Sequence, residues 1–203
     1  MIVIVDYGLG NLGSIVNMLA HVHAPAVISR DPDEIGRATK LVLPGVGAFD
    51  QGMSNLRRLG LVDVVRHKAL EERTPLLGIC LGMQLLGRAS EEGRETGLGL
   101  LDAQSIRFRA DANPGLKIPH MGWNTVTLRK PSVLFESMHS DPRFYFVHSY
   151  HVVCEAPGDV LAAASYGAEF VAAVERGNIY GVQFHPEKSH KFGMKLLQNF
   201  AAL

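Results

Sequence analysis

Four short apolar runs in the first half of the chain place the strongest limit on its fold. They read IVIV (2–5), AVIS (26–29), LVL (41–43) and LLGI (76–79). Short runs that are apolar throughout are typical of parallel strands covered by helices on both faces. The segments between them, at about 12–22, 50–59 and 61–73, carry helical spacing. The first half therefore predicts an α/β fold with helices on both faces of an open sheet.

The second half predicts closely spaced strands instead. β-branched and aromatic residues are concentrated in VTL near 126, FYFVHSYHVV (144–153), LAAAS (161–165) and VAAVERGNIYGVQF (171–184). Within the last segment, Gly177-Asn178 is a hairpin signal because both residue types tolerate positive φ. A final helix is expected at about 189–202. Since there is no repeat or long linker, we expect a single domain over residues 1–203.

Composition argues against several classes of partner and site. Twenty basic residues balance twenty acidic ones without a run of like charge, so neither nucleic acid nor an acidic membrane is an expected partner. The first residues reach Asp6 without a basic stretch and read as a strand, not a signal peptide. Cys80 and Cys154 are expected to be reduced thiols of a cytoplasmic protein. The histidines and cysteines form neither HExxH nor CxxC, so no metal site is predicted.

A GxGxxG pattern at 8–13 directly follows the first predicted strand, and Asp31 and Asp33 lie about twenty residues further on. This context is typical of a dinucleotide-binding loop, so a dehydrogenase is one function to consider. The pattern is permissive in a chain with 21 glycines. Asp6 would also set a carboxylate close to the pyrophosphate, which weakens that interpretation.

Cys80 lies in GICLGMQLLG (78–87), between a predicted strand and a helical run. One interpretation is a core residue, because free cysteine is among the most buried residue types. The other is a nucleophile, because Gly78 and Gly82 flank it as in the G-x-S-x-G elbow. A sharp turn there needs small neighbours, and the start of the following helix would favour a thiolate.

A cysteine nucleophile needs a base and a group that orients the base. QFHPEK (183–188) offers His185 and Glu187, which would lie on one face of an extended segment. Taken alone, His185 is better read as a strand-end histidine and Glu187 as a solvated acid at a helix start, but together with Cys80 on an elbow they favour a catalytic group. For the oxyanion, the Leu81 N–H is one candidate donor, and the glycine loop Pro44–Gly47 could supply the second.

Three motifs, PGVG (44–47), GICLGMQLL (78–86) and HPEKS (185–189), resemble those of the class I glutamine amidotransferases. Further strings, DYGLGN (6–11), SEEG (90–93), IPHMGWN (118–124) and FVHSY (146–150), resemble one branch of that family, the glutaminase subunits of imidazole glycerol phosphate synthase. The resemblance covers nearly the whole chain. It implies a flavodoxin-like open mixed sheet with a nucleophile elbow, and it implies no cofactor.

The resemblance also implies roles for individual residues. Cys80 would attack the glutamine amide and form a thioester, while His185 passes protons and Glu187 orients His185. The oxyanion hole would use Leu81, Val46 and Gly47, in a loop that reorients when the partner is loaded. The glutamine-binding residues would be Gly45, Gln84, Glu92, Ser149 and Tyr150.

A partner is implied as well. Ammonia would pass through a channel to a separate (βα)₈-barrel cyclase subunit, which makes imidazole glycerol phosphate and aminoimidazole carboxamide ribotide in histidine biosynthesis. The residues at the heterodimer interface would be Asn11, Trp123, Tyr145 and Lys188. Trp123 could instead be a core residue, and His151 stands where a tyrosine is expected. A non-reacting binding module and a cysteine peptidase remain the alternative functions.

Overall fold

The computed structural model describes residues 1–109 and 115–203. Its α-helices are α1 (Leu12–His21), α2 (Pro32–Gly36), α3 (Phe49–Arg58), α4 (Leu61–Leu70), α5 (Leu81–Leu85) and α6 (His190–Ala202). Its strands are β1 (Ile2–Val5), β2 (Ala26–Ser29), β3 (Lys40–Leu43), β4 (Leu76–Ile79), β5 (Ala89–Ser90), β6 (Ala103–Arg107), β7 (His120–Thr125), β8 (Thr127–Leu128), β9 (Arg143–His148), β10 (Tyr150–Cys154), β11 (Val160–Tyr166), β12 (Ala168–Arg176) and β13 (Ile179–Val182). None of the helices in these two ranges is long and apolar enough to cross a membrane.

Eleven of the strands form one mixed sheet. Its main path runs β2-β1-β3-β4-β13-β12-β10-β6-β5, and β11 and β8 branch from β12. The first five strands on this path are parallel, and the next three alternate in direction. The predicted open mixed α/β sheet is confirmed, and so is the change to antiparallel pairing in the second half.

Alternate residues of β1 enter two separate cores, as the period of a strand requires. Ile2 and Ile4 pack on one side of the sheet, in a cluster with residues of α1 and α6. Val3 and Val5 pack on the other side, with residues of α2, α3 and α4. Helices therefore cover both faces of the parallel half, which explains why its strands are apolar throughout.

The structure differs from the predicted elements at a few places. Burial on both faces is wrong for AVIS, since Val27 and Ile28 are 36% and 43% exposed. The reason is that β2 is the edge strand, paired only with β1. Helix α4 ends at Leu70 instead of 73, because the chain turns through a positive φ at Arg73 to enter β4. The segment 144–153 is divided at Ser149, and β9 pairs with β7 in a separate two-stranded ribbon.

Three neighbouring parallel strands end at the same edge of the sheet. The loop Pro44–Gly47 follows β3, Cys80 follows β4, and His185 lies three residues beyond β13. Because β3, β4 and β13 are adjacent in the sheet, these distant segments of sequence meet there. The carboxyl ends of the strands are where open α/β sheets place their ligands.

Candidate active site

A cavity of about 330 Å³ lies at this edge of the sheet. The predicted site residues that line it are Val46, Gly47, Cys80, Leu81, Gln84, Glu92, Ser149, Tyr150 and His185. Three further lining residues, Pro119, Val147 and His148, were not predicted. Gly45 and Glu187 are not part of the lining. Most of the predicted site therefore converges on one space, although its members come from five separate stretches of sequence.

Cys80 occupies a strained turn between β4 and α5. Its φ of 54° and ψ of −110° lie outside the regions that non-glycine residues prefer. A Cβ at Gly82 would overlap the carbonyl oxygen of Leu43, and one at Gly78 would come within 2.8 Å of the Gly82 backbone. Both flanking glycines are thus needed for the close approach of backbone that holds this elbow.

His185 and Glu187 form a buried pair beside the cavity. His185 Nδ1 lies 2.7 Å from Glu187 Oε1, and their side chains are 2% and 1% exposed. The expected extended geometry holds only at His185, because Pro186–Lys188 form one turn of 3₁₀-helix. Proline at the first position favours such a turn. It is this turn that brings the carboxylate to the ring.

Burial lowers the pKa of His185, but hydrogen bonding to Cys80 and Glu187, together with their negative charges, outweighs burial and raises that pKa to about 9. The imidazole is therefore cationic at neutral pH. Since Nδ1 is bonded to Glu187, Nε2 is the nitrogen left for Cys80. Nε2 is buried and lacks a well-formed hydrogen bond to any described residue. Contacts of this kind commonly tighten only when substrate binds.

Replacing Glu187 with glutamine should lower the pKa of His185 below about 9, because it removes the negative charge beside Nδ1. A histidine with a raised folded pKa stabilises the protein fully below its unfolded pKa of 6.5, and this contribution is lost as pH rises through 9. The unfolding free energy of the wild type should therefore exceed that of Glu187→Gln by on the order of 1 kcal/mol or more, and this difference should be largest below pH 6.5. NMR titration of the imidazole measures the pKa of His185, and urea unfolding measures the unfolding free energy. A stability difference that stays constant from pH 6 to 10 would contradict the assignment.

The Leu81 N–H is already hydrogen-bonded to the backbone in this structure. The Leu81 N–H donates to the carbonyl oxygen of Gly45 at 3.3 Å, so the predicted oxyanion donor is already in use. The loop rests on Tyr7, whose buried hydroxyl donates to the carbonyl of Pro44 at 2.6 Å. Gly47 has a φ of +114°, which strongly favours glycine at that position. Opening the hole requires the Gly45 carbonyl to turn away from Leu81.

The predicted glutamine-binding side chains are tied into the protein. Gln84 Nε2 donates to the Tyr150 carbonyl at 3.2 Å and to Gln183 Oε1 at 3.0 Å. Gln183 is fully buried, and its Nε2 lies 3.7 Å from Cys80 Sγ. Glu92 accepts a hydrogen bond of 2.8 Å from the Phe49 N–H at the start of α3.

Three of the four predicted interface residues lie together. Trp123 is 46% exposed, which excludes the core interpretation, and it stands opposite Tyr145 in the β7–β9 ribbon. The Lys188 Nζ lies 5.7 Å from the centre of the Tyr145 ring. Tyr145 also contacts the backbone of His185, because its carbonyl accepts the His185 N–H at 2.9 Å. Asn11 is exposed at the start of α1 and, within residues 1–109 and 115–203, makes no hydrogen bond, ion pair or ring contact with these three residues.

Asp6, just before the GxGxxG loop, is held by hydrogen bonds from Gly8 and Arg30. The Gly8 N–H donates to Asp6 Oδ1 at 3.0 Å, and Arg30 Nε donates to Asp6 Oδ2 at 3.1 Å. A dinucleotide phosphate would have to displace this carboxylate from the Gly8 N–H, which argues against a phosphate site at this loop.

Comparison with known proteins decides the family. The family described as glutamine amidotransferase class-I matches residues 3–203. The chain belongs to the class I glutamine amidotransferases. It is 55% identical over 200 residues to imidazole glycerol phosphate synthase subunit HisH 2 of Methanococcus maripaludis, covering 98% of each chain. It is 51% identical over 203 residues to the protein of the same name from Pseudomonas aeruginosa, covering all of both. A solved glutamine amidotransferase at 22% identity has a TM-score of 0.72 and coverage of 99% of each chain.

Three lining residues of this class I glutamine amidotransferase, Pro119, Val147 and His148, and the buried Gln183 beside Cys80 were missed from the sequence. Gln183 precedes His185 by two positions, and that spacing could have indicated it. Val147 and His148 lie inside the quoted string FVHSY, but only the register of β9 against β7 gives them a role. His151 lies against Phe108, with ring centres 4.7 Å apart, and burial lowers its pKa.

Proposed function

We propose that this chain is the glutaminase subunit of an imidazole glycerol phosphate synthase, active in histidine biosynthesis in the cytoplasm. It would hydrolyse L-glutamine to glutamate and ammonia with Cys80, His185 and Glu187. The observation that carries the proposal is the convergence of an elbow cysteine and of His185, which is hydrogen-bonded to Glu187, on one cavity. The relatives named HisH 2 support the pathway, and the two free thiols are consistent with a reducing compartment.

In the first half of the reaction the Cys80 thiolate attacks the carbon of the glutamine amide. A carbon–sulfur bond forms, and the carbonyl oxygen becomes an oxyanion that needs two N–H donors. His185, cationic at neutral pH, then gives its Nε2 proton to the leaving nitrogen. The carbon–nitrogen bond breaks, ammonia departs, and a glutamyl thioester remains on Cys80.

In the second half, neutral His185 accepts a proton from a water molecule as the water attacks the thioester. The carbon–sulfur bond breaks, glutamate leaves, and the thiolate–imidazolium pair is restored. Glu187 holds the ring throughout with its hydrogen bond to Nδ1. Gln84, Glu92, Ser149 and Tyr150 would hold the amino acid end of glutamine.

The closed Leu81–Gly45 contact supports a regulated reaction. With one oxyanion donor in use, the chain alone should hydrolyse glutamine slowly. We propose that a (βα)₈-barrel cyclase binds the surface of Trp123, Tyr145 and Lys188, with Asn11 at its margin. Loading of that partner would turn the Gly45–Gly47 loop, free the Leu81 N–H and open a path for ammonia.

A coupled glutamate assay tests this function. Glutamate release by the chain alone should be low, and it should rise at least about 100-fold with the barrel subunit and its ribonucleotide ligand, the usual value of one oxyanion donor. Equal basal and stimulated rates would contradict the regulated part of the proposal. Hydrolysis of peptides without glutamine hydrolysis would instead favour a cysteine peptidase.

A further inference from the structure

His148 forms part of the cavity wall and makes two hydrogen bonds away from the cavity. Its Nδ1 lies 2.7 Å from the carbonyl oxygen of Tyr150, and its Nε2 lies 2.9 Å from His120 Nδ1. The same Tyr150 carbonyl accepts the 3.2 Å hydrogen bond from Gln84. One carbonyl oxygen therefore joins His148 to two residues of the glutamine site.

His120 lies outside the cavity, directly opposite His148 in the β7–β9 ribbon. Its ring is held between Tyr166 and Phe146, with centre-to-centre distances of 4.1 and 4.9 Å. Only 3% of His120 is exposed. Because side chains alternate along a strand, the next residue, Met121, points to the exposed face of the same ribbon.

The carbonyl oxygen at one end of this series of contacts and the side-chain amide at the other end fix which nitrogen of each imidazole carries the proton. A carbonyl oxygen can only accept, so His148 must carry a proton on Nδ1, and its neutral Nε2 must accept from His120. His120 therefore has its proton on Nδ1, and its Nε2 accepts from Asn124 Nδ2 at 3.3 Å. Asn124 also donates to the Ser165 carbonyl at 2.9 Å, which completes the relay.

Burial keeps both rings neutral, as the relay requires. It lowers the pKa of His120 to about 4 and that of His148 to about 3. Protonating His148 would set two donors against each other at the 2.9 Å contact, and protonating His120 would do so at the 3.3 Å contact with Asn124 Nδ2. The relay thus has one consistent arrangement at neutral pH.

We propose that His120 is a positioning residue for the glutamine site, acting through His148 to fix the Tyr150 carbonyl and the residues bonded to it. The role rests on the proposed function, because it concerns how tightly glutamine is held. His120 touches neither the substrate space nor Cys80. Its loss should therefore weaken glutamine binding more than it slows the chemical steps.

The test compares three variants with the wild type in the presence of the barrel subunit. His120→Phe keeps an aromatic ring but removes the donor to His148, so KM for glutamine should rise about fivefold or more while kcat stays within twofold. His120→Asn places an amide N–H near the position of Nδ1 and should restore most of the KM. His151→Phe is the matched control. It changes a neighbouring histidine that packs on Phe108 and Phe170, does not line the cavity, and has no Nδ1 partner in the described part of the chain.

Two outcomes of the kinetics would overturn the proposal. One is an unchanged KM in His120→Phe, and the other is equal impairment of His120→Asn and His120→Phe. Nitrogen NMR of the imidazoles gives an independent readout, since it reports which nitrogen of His148 carries the proton. A proton on Nδ1 supports the relay and a proton on Nε2 overturns it. If the wild type releases no glutamate with its partner, the proposed function fails, and the NMR result still decides the relay.

Discussion

The Cys80→Ala variant should release glutamate at least about 10³-fold more slowly than the wild type, with or without the barrel subunit, because Cys80 is the only cysteine among the described residues of the cavity wall and the proposed thioester needs its sulfur. Its fold should survive, since the substitution removes one sulfur atom from a turn whose shape is set by Gly78 and Gly82. Thermal unfolding and binding to the barrel subunit should therefore stay close to wild type. The coupled glutamate assay measures the loss.

Cys154→Ser is the matched control, because Cys154 is the other free thiol and lies on β10, outside the cavity lining. It should keep wild-type activity. Mass spectrometry after treatment with an electrophilic glutamine analogue should find the label on Cys80 in both the wild type and Cys154→Ser. Undiminished activity in Cys80→Ala would exclude the thioester mechanism and favour a binding module.

Gly82→Ala should destabilise the protein by about 3 kcal/mol or more, or prevent folding, because its methyl group would overlap the Leu43 carbonyl oxygen. Backbone atoms of β3 cannot move aside as a side chain can. Urea unfolding monitored by circular dichroism measures the effect. Any variant that still folds should also lose activity, since the elbow that carries Cys80 must shift.

Gly13→Ala is the matched substitution for this second prediction. Gly13 also lies in a helix, but nothing stands within 4 Å of its added Cβ. Alanine there should stabilise the protein by about 0.5–1 kcal/mol, through a lower entropy of the unfolded chain. Equal stability changes in the two variants would mean that the contact at Gly82 is relieved without cost.

Local patterns in the sequence predicted the parts of the fold that depend on local forces. The four apolar runs became β1 to β4, and those of β1, β3 and β4 are covered on both faces, as apolar residues on both faces require. The hairpin at Gly177 formed as expected, with a φ of 61°. The elbow at Cys80 followed from two glycines whose missing side chains allow close backbone contact.

Features that depend on distant pairing could not be predicted in this way. The exposure of Ile28 follows from the order of strands, which composition does not reveal. The His120–His148 contact depends on the register of β7 against β9. The state of the Leu81 N–H depends on one peptide orientation in the Gly45 loop, and a small backbone rotation changes it.

Tyr145 connects an outer patch of the protein to the backbone of His185. Its ring belongs to the outer patch with Trp123 and Lys188, while its carbonyl holds the N–H of His185 and its own N–H is held by Ser189 Oγ at 3.0 Å. A molecule bound against that ring would therefore lie one residue away from the backbone of His185, on a path that does not pass through the central sheet.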